Sequence, residues 1–269
     1  MAINVNTVYQ TVLLIINKEQ RGYITPNEFN KIATQAQQEI FEGYFESLTQ
    51  QLRVPGQEDE YSDRVDHIEE AISMLRMEGN ASYRTTDENG QPISNPFFYL
   101  PDDVHRIGTI MYKEEQELQR TNRGELLRLN MSKLTRPTTN YPVFTQEENQ
   151  NIQDIDPITS QVTVLCEDCI KINVYPKTIT TEVGLSYVRK PKNVVWAFTT
   201  GNLGEYIYSK GSGPGVTPSS GSQDFEIDDT DQPELILRIL AYSGVVIRDP
   251  QIVQAAASQV QATEVNQKS

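Results

Sequence analysis

The four residues Thr25-Pro26-Asn27-Glu28 fix the start of a helix more tightly than any other stretch of the chain fixes anything. A threonine hydroxyl before the helix can accept from a free N–H, proline is tolerated at the first helical position, and a glutamate three residues past the threonine reaches back to its N–H. Behind this start, Phe29, Ile32, Ala33, Ala36, Ile40, Tyr44, Leu48 and Leu52 keep an apolar stripe at helical spacing nearly to Pro55. The spacing predicts a helix of about 27 residues, roughly 40 Å long.

Two further helices are expected in the N-terminal third. Val5, Val8, Val12, Ile15 and Ile16 recur at helical spacing before Gly22. After the acidic break GQEDEYSD, Val65, Ile68, Ile72 and Leu75 share one face before Gly79. From Tyr83 to about Phe225 the pattern changes to short β-branched and aromatic runs separated by proline, glycine and turn pairs such as Asn89-Gly90. Strands are expected at Val104 to Tyr112, Gln161 to Leu165, Ile170 to Tyr175, Val183 to Arg189, Val194 to Phe198 and Glu205 to Tyr208, with a short helix at Arg123 to Lys133.

Helical pattern returns at Asp231-Gln232-Pro233-Glu234, followed by Leu235, Ile236, Ile239, Leu240 and Val246. Asp249-Pro250 ends it, and an Ala- and Gln-rich tail carries a narrow stripe of Ile252, Ala256 and Val260. An apolar C-terminal helix needs a partner, and the first three helices are the obvious one. The sequence therefore predicts an α+β chain: a discontinuous helical bundle, residues 1–80 and 230–250, with a β-rich insertion at 81–229 and a docking tail at 251–269. Within the insertion, residues 209–223 hold one charge and almost nothing to bury, which predicts a mobile loop marked by Gly211, Gly213, Gly215 and Gly221.

A formal net charge of −14 argues against tight nucleic-acid binding. The longest apolar run, Val12 to Ile16, is far too short to cross a bilayer, and the opening MAINVNTVYQ does not read as a secretion signal. Protein partners are the expectation, with no membrane role and no cofactor.

The candidate chemistry is thin. Cys166-Glu167-Asp168-Cys169 has the spacing of half a zinc site, but a structural site takes four ligands and the sequence offers no second pair. The plainer expectation is a tight turn with both thiols reduced, between strands ending at Leu165 and starting at Ile170. His67 and His105 have no matched nucleophile at sequence level, and acidic pairs such as Asp102-Asp103 and Glu147-Glu148 arise by chance in so acidic a chain. No phosphate-loop spacing surrounds the glycines at 211–221. An enzymatic role is not expected. Arg120, Arg123, Arg128, Lys133 and Arg136, opposed by Glu125 alone, form the one locally basic segment; it reads either as a solvated helix face or as a docking surface for an acidic neighbour.

Several stretches resemble the head-to-tail connector proteins of tailed bacteriophages, in particular the adaptor or ring subunits, tail-tube gatekeeper type, of short-tailed and crAss-like phages. They are VYQTVLLIINKEQRGYITPNEFNKIATQAQQEIFEGYF, then FYLPDDVHRIGTIMY, LTRPTTNYPVF and IKINVYPKTITTEVGLSYVRKPK, and the C-terminal helix ending in RDP. The resemblance implies a virion structural protein in the neck, assembled in the host cytoplasm. Its form would be a homo-oligomeric ring, typically of twelve copies, beneath the portal protein and against neighbouring ring or tail proteins. The genomic DNA would pass through its channel on ejection without specific binding. On that reading the tail residues Ile252, Val253, Ala256 and Val260 would anchor the subunit to the portal or an adjacent ring. A tail accessory or receptor-facing binding protein of the virion is the alternative.

Overall fold

The structure is a computed structural model, and it describes residues 3–18, 23–53, 59–88, 90–113, 115–147, 150–155 and 162–247, with the single positions 258 and 261. The helices are α1 (Val5–Lys18), α2 (Pro26–Arg53), α3 (Asp59–Ser73), α4 (Arg123–Met131) and α5 (Gln232–Ile247). The strands are β1 (Arg76–Asn80), β2 (Ser82–Thr86), β3 (Pro92–Tyr99), β4 (Val104–Tyr112), β5 (Gln116–Glu117), β6 (Gln119–Arg120), β7 (Val143–Gln146), β8 (Gln150–Ile155), β9 (Val162–Cys169), β10 (Lys171–Tyr175), β11 (Val183–Arg189), β12 (Phe198–Thr200) and β13 (Tyr206–Tyr208). The chain divides into two compact units, one of residues 1–74 and 191–269, the other of residues 75–190.

In the first unit the local signals act as the sequence predicts. Asn4 accepts from the N–H groups of Asn6 (3.0 Å) and Thr7 (3.1 Å), and the Asp224 carboxylate accepts from Val5 N–H (2.9 Å), so the start of α1 is satisfied. At α2 the Glu28 carboxylate accepts from both Thr25 N–H (2.9 Å) and the Thr25 hydroxyl (2.7 Å). Those bonds hold the Glu28 carboxyl below its ordinary range.

The core, however, is not made by helix against helix alone. Val5, Val8, Val12, Ile16, Phe29, Ala33, Ala36, Ile40, Leu235 and Ile239 are joined in one cluster by Val194, Trp196, Phe198, Phe225 and Ile227, all from extended chain. The reason lies on α2, where Asn30, Thr34 and Gln37 repeat at helical spacing beside the apolar stripe. Asn30 accepts from Trp196 N–H (2.7 Å) and donates to its carbonyl (3.3 Å). The Thr34 hydroxyl accepts from Val194 N–H (3.1 Å), and Gln37, fully buried, donates to the Lys192 carbonyl (2.8 Å) and accepts from Glu226 N–H (2.9 Å). A facing helix has already used its backbone groups internally and would leave these amides unsatisfied, whereas an extended strap offers both N–H and C=O. Helix α5 then closes on α2 through polar contacts: Arg238 bonds Glu234 (2.7 Å) and Glu39 (3.4 Å), Tyr242 donates to Glu39, and Tyr44 donates to Asp231.

The second unit packs two sheets around one core. One has the order β1-β11-β4-β5; the other has the order β2-β3-β10-β7-β6, in which only β6 and β7 run parallel. Val104, Ile110, Val183 and Leu185 meet Phe98, Phe144, Ile172 and Val174 in the space they share. The ribbon β8–β9 is separate in pairing, and lies against the β2–β3 end of the second sheet. Ile152, Cys166 and Cys169 pack with Phe97, while the buried Arg84 of β2 donates to the carbonyls of Thr86 (2.7 Å) and Gln153 (2.7 Å).

These findings correct the expected fold class. The protein is mixed α/β, about 34% helix and 33% strand, with several sheets, and is not a helical bundle carrying a β-rich insertion. Two local misreadings contribute. The third helix stops at Ser73, and Arg76–Asn80, read as its end, pairs with β11 from Arg76↔Val188 to Asn80↔Gly184. There Gly79 lies so close to the Tyr187 ring that an added Cβ would sit 3.3 Å from it. The strap of residues 191–227, read as part of the strand region, belongs to the unit that holds the long helices.

Two outcomes follow for stability. Gln37→Leu strands the Lys192 carbonyl and the Glu226 N–H, and should lower the unfolding free energy by about 2 kcal/mol, measured by urea denaturation; an unchanged midpoint would refute the role of the ladder. Because the Glu28 carboxyl is depressed in the folded state, its contribution is present above the ordinary carboxylate range and is lost as pH falls below that range, through the lower folded-state pKa. Glu28→Gln should therefore melt below wild type at pH 7, with the gap closing as pH is lowered below the ordinary carboxylate range, in paired thermal melts.

Candidate interaction surface

Between β6 and β7 the chain leaves the edge of the five-stranded sheet and returns to the same edge. Thr121 N–H donates to the Phe144 carbonyl (2.9 Å) on the way out, and Gln119 N–H donates to the Pro142 carbonyl (3.2 Å) on the way back. In between, α4 runs from Arg123 to Met131 with only Leu126 buried. Its C-terminal end is folded back on itself. The Thr135 hydroxyl donates to the Leu129 carbonyl (3.0 Å), Arg136 N–H to the Ser132 carbonyl (3.1 Å), and the Arg136 guanidinium to the Asn130 carbonyl (3.4 Å).

This tether leaves large apolar groups in water. Leu127 is 61% exposed, Met131 85%, Leu134 97% and Tyr141 81%. Arg120, Arg123, Arg128, Lys133 and Arg136 are exposed around them, so the basic segment read from the sequence is gathered on one excursion. Single exposed apolar residues are ordinary; four within one short excursion, rimmed by arginines, have the make-up of a protein interface, where Met, Tyr and Arg are enriched. The sequence reading named the arginines and missed the apolar members. The available signal was Leu126-Leu127 with Leu129 and Met131, an apolar set spread too far around a nine-residue helix for one sheet edge to cover.

The other sequence-selected residues do not join this surface. The glycine segment is tied down rather than unsupported: Thr217 exchanges both backbone bonds with Phe198 (2.8 and 3.0 Å), Gln223 does so with Val195 (2.8 and 3.1 Å), and the Ser222 hydroxyl bridges Ala197 N–H and the Ser209 carbonyl. Gly215 and Gly221 adopt positive φ (86° and 84°), and at Gly221 a side chain would meet the Gly211 backbone at 2.9 Å. Gly211 and Gly213 face open space. These partners come from residues 10 or more positions away. Ile252, Val253, Ala256 and Val260 lie outside the described residues.

Cys166 and Cys169 also depart from expectation. They are joined as a disulfide rather than held as reduced thiols, their Cα atoms 5.9 Å apart, within bridging reach. Nor do they bracket a turn between strands. β9 runs through to Cys169, with Asp168 at φ 56° bending the chain so that both side chains turn inward beside Phe97.

Among the described residues no group of three or more His, Cys, Asp and Glu side chains is placed to hold a metal, and no helix is long and apolar enough to cross a membrane. Asp103 accepts from the Tyr187 hydroxyl (3.0 Å); burial, helped by this bond, pushes the Tyr187 phenol up to about 12. Glu147 forms an ion pair with Lys171 at 3.0 Å. His105 lies on β4, half-buried, and His67 falls on α3. No protein-family model and no curated protein matches the chain.

Proposed function

We propose that this chain is a virion structural protein that assembles into a ring in the head-to-tail connector of a tailed phage, between portal and tail, around a channel for DNA. The observation that carries the reading is the cluster of Leu127, Met131, Leu134 and Tyr141, held in water among five basic residues on a folded excursion. Such a surface is costly for a chain that acts alone and useful for one that repeats a contact with a neighbour. The sequence stretches resembling connector subunits supply the kind of assembly. The net charge of −14 suits a channel past which DNA must slide without adhering. On this reading the protein is not an enzyme, and its sites are surfaces.

Native mass spectrometry and negative-stain microscopy of the purified protein test it. A closed ring, expected at twelve copies, supports the reading; a strict trimer points instead to a tail accessory or receptor-facing protein, and a persistent monomer overturns it. The tail carries a separate expectation. Truncation after Asp249 should leave the melting temperature within about 2 °C of wild type and abolish co-sedimentation with the portal ring, and undiminished co-sedimentation would exclude Ile252, Val253, Ala256 and Val260 as the anchor.

A further inference from the structure

The five-stranded sheet of the second unit has different chemistry at its two ends. At the β6 end stands the excursion just described, with Arg120, Arg123, Arg128, Lys133 and Arg136 against Glu125. At the β2–β3 end lies the β8–β9 ribbon, clamped there by Arg84 and by the packing of Ile152 and Cys166 on Phe97. Among the described residues β9 carries the exposed carboxylates Glu167 and Asp168 beside its apolar side chains, and no lysine or arginine lies between Gln150 and Cys169. The ribbon too keeps apolar groups in water: Val162 is 55% exposed, and Val164 and Leu165 are each 46% exposed.

An exposed apolar patch rimmed by positive charge and another set in negative charge thus occupy opposite ends of one rigid sheet, roughly 19 Å apart at the usual strand spacing. From this placement we infer that the two patches are the halves of one contact between copies: the α4 excursion of one subunit docks on the β8–β9 ribbon of the next. The inference rests on the ring reading and gives that ring its lateral joint. Because the two patches differ, the contact is head-to-tail, and an open chain of subunits keeps one free patch of each kind, at its two ends, until the assembly closes. Charge complementarity sets partner and register, while Leu127, Met131 and Leu134 against Val162, Val164 and Leu165 supply the buried apolar area.

Two charge-reversed variants of the full chain test the contact. The first is Arg128→Glu with Lys133→Glu; the second is Glu167→Lys with Thr163→Lys, all four positions being exposed. Each variant alone sets like charges against each other, and should weaken self-association, read by mass photometry, about tenfold or more. Mixed in equal amounts they restore opposite charges at every joint, and assembly should return to near the wild-type level, with the two variants alternating. Carbodiimide cross-linking of wild-type protein, from a mixture of heavy- and light-isotope copies, gives a second measurement that needs no variant. It should join Lys133 of one copy to Glu167 or a neighbouring ribbon carboxylate of another. If the wild type assembles and the separate variants assemble equally well, or their mixture does not recover, this contact is wrong and the ring reading survives. A wild type that never self-associates overturns both.

Discussion

The first unit depends on the amide ladder of α2. Asn30, Thr34 and Gln37 stand in line beside a fully apolar stripe, so the same helix must satisfy polar groups on one flank while it buries side chains on the other. Only extended chain meets both demands, since its backbone can bond to the ladder while Val194, Trp196, Phe225 and Ile227 drop alternately into the core. Trp196 shows the coupling at one residue. Its backbone is held at both polar groups by Asn30, its indole N–H donates to Asn6 on α1 (3.1 Å), and its ring packs on Tyr9 at 4.3 Å. Residues 190 positions apart in the chain are thereby fixed to one another beside α2.

The second unit uses a different logic, because its sheets satisfy their own backbone and need only a shared apolar interior. That frees the segments between strands to carry surface chemistry. The excursion after β6 is joined to the frame by backbone bonds at Thr121 and Gln119 and by the buried Leu126, and its end is folded back by Thr135 and Arg136, which leaves Leu127, Arg128, Met131, Lys133 and Leu134 exposed. The ribbon is fixed with similar economy by Arg84, whose guanidinium would be costly to bury without the two carbonyls it meets. Charge and exposed apolar area on both elements are therefore open to selection for association.

Signals confined to a few neighbouring residues were legible in the sequence. The capping box at Thr25 and Glu28, the strands Val104–Tyr112 and Val183–Arg189, and the helix starting at Arg123 follow from local periodicity and turn chemistry alone. What escaped needed partners distant in sequence. Arg76–Asn80 is a strand only because β11 lies beside it, and residues 209–223 exchange hydrogen bonds with Val195, Ala197 and Phe198. The fold class went wrong for the same reason: nothing local in Asn30, Thr34 and Gln37 shows that they face a strap rather than water. Of the candidate surface, its charge could be read directly, but not its exposed leucines and methionine, because an apolar side chain announces burial by default.

Exposure of that kind also bears on how strong a joint has to be. The last copy to enter a ring makes two contacts while losing its translational and rotational freedom only once, so closure gains a second interaction at little further entropic cost. A joint too weak to hold a dimer can then hold a closed ring. On the proposed ring reading, a patch of three or four apolar side chains with a charged rim would make a joint of that modest size, enough to specify direction and partner.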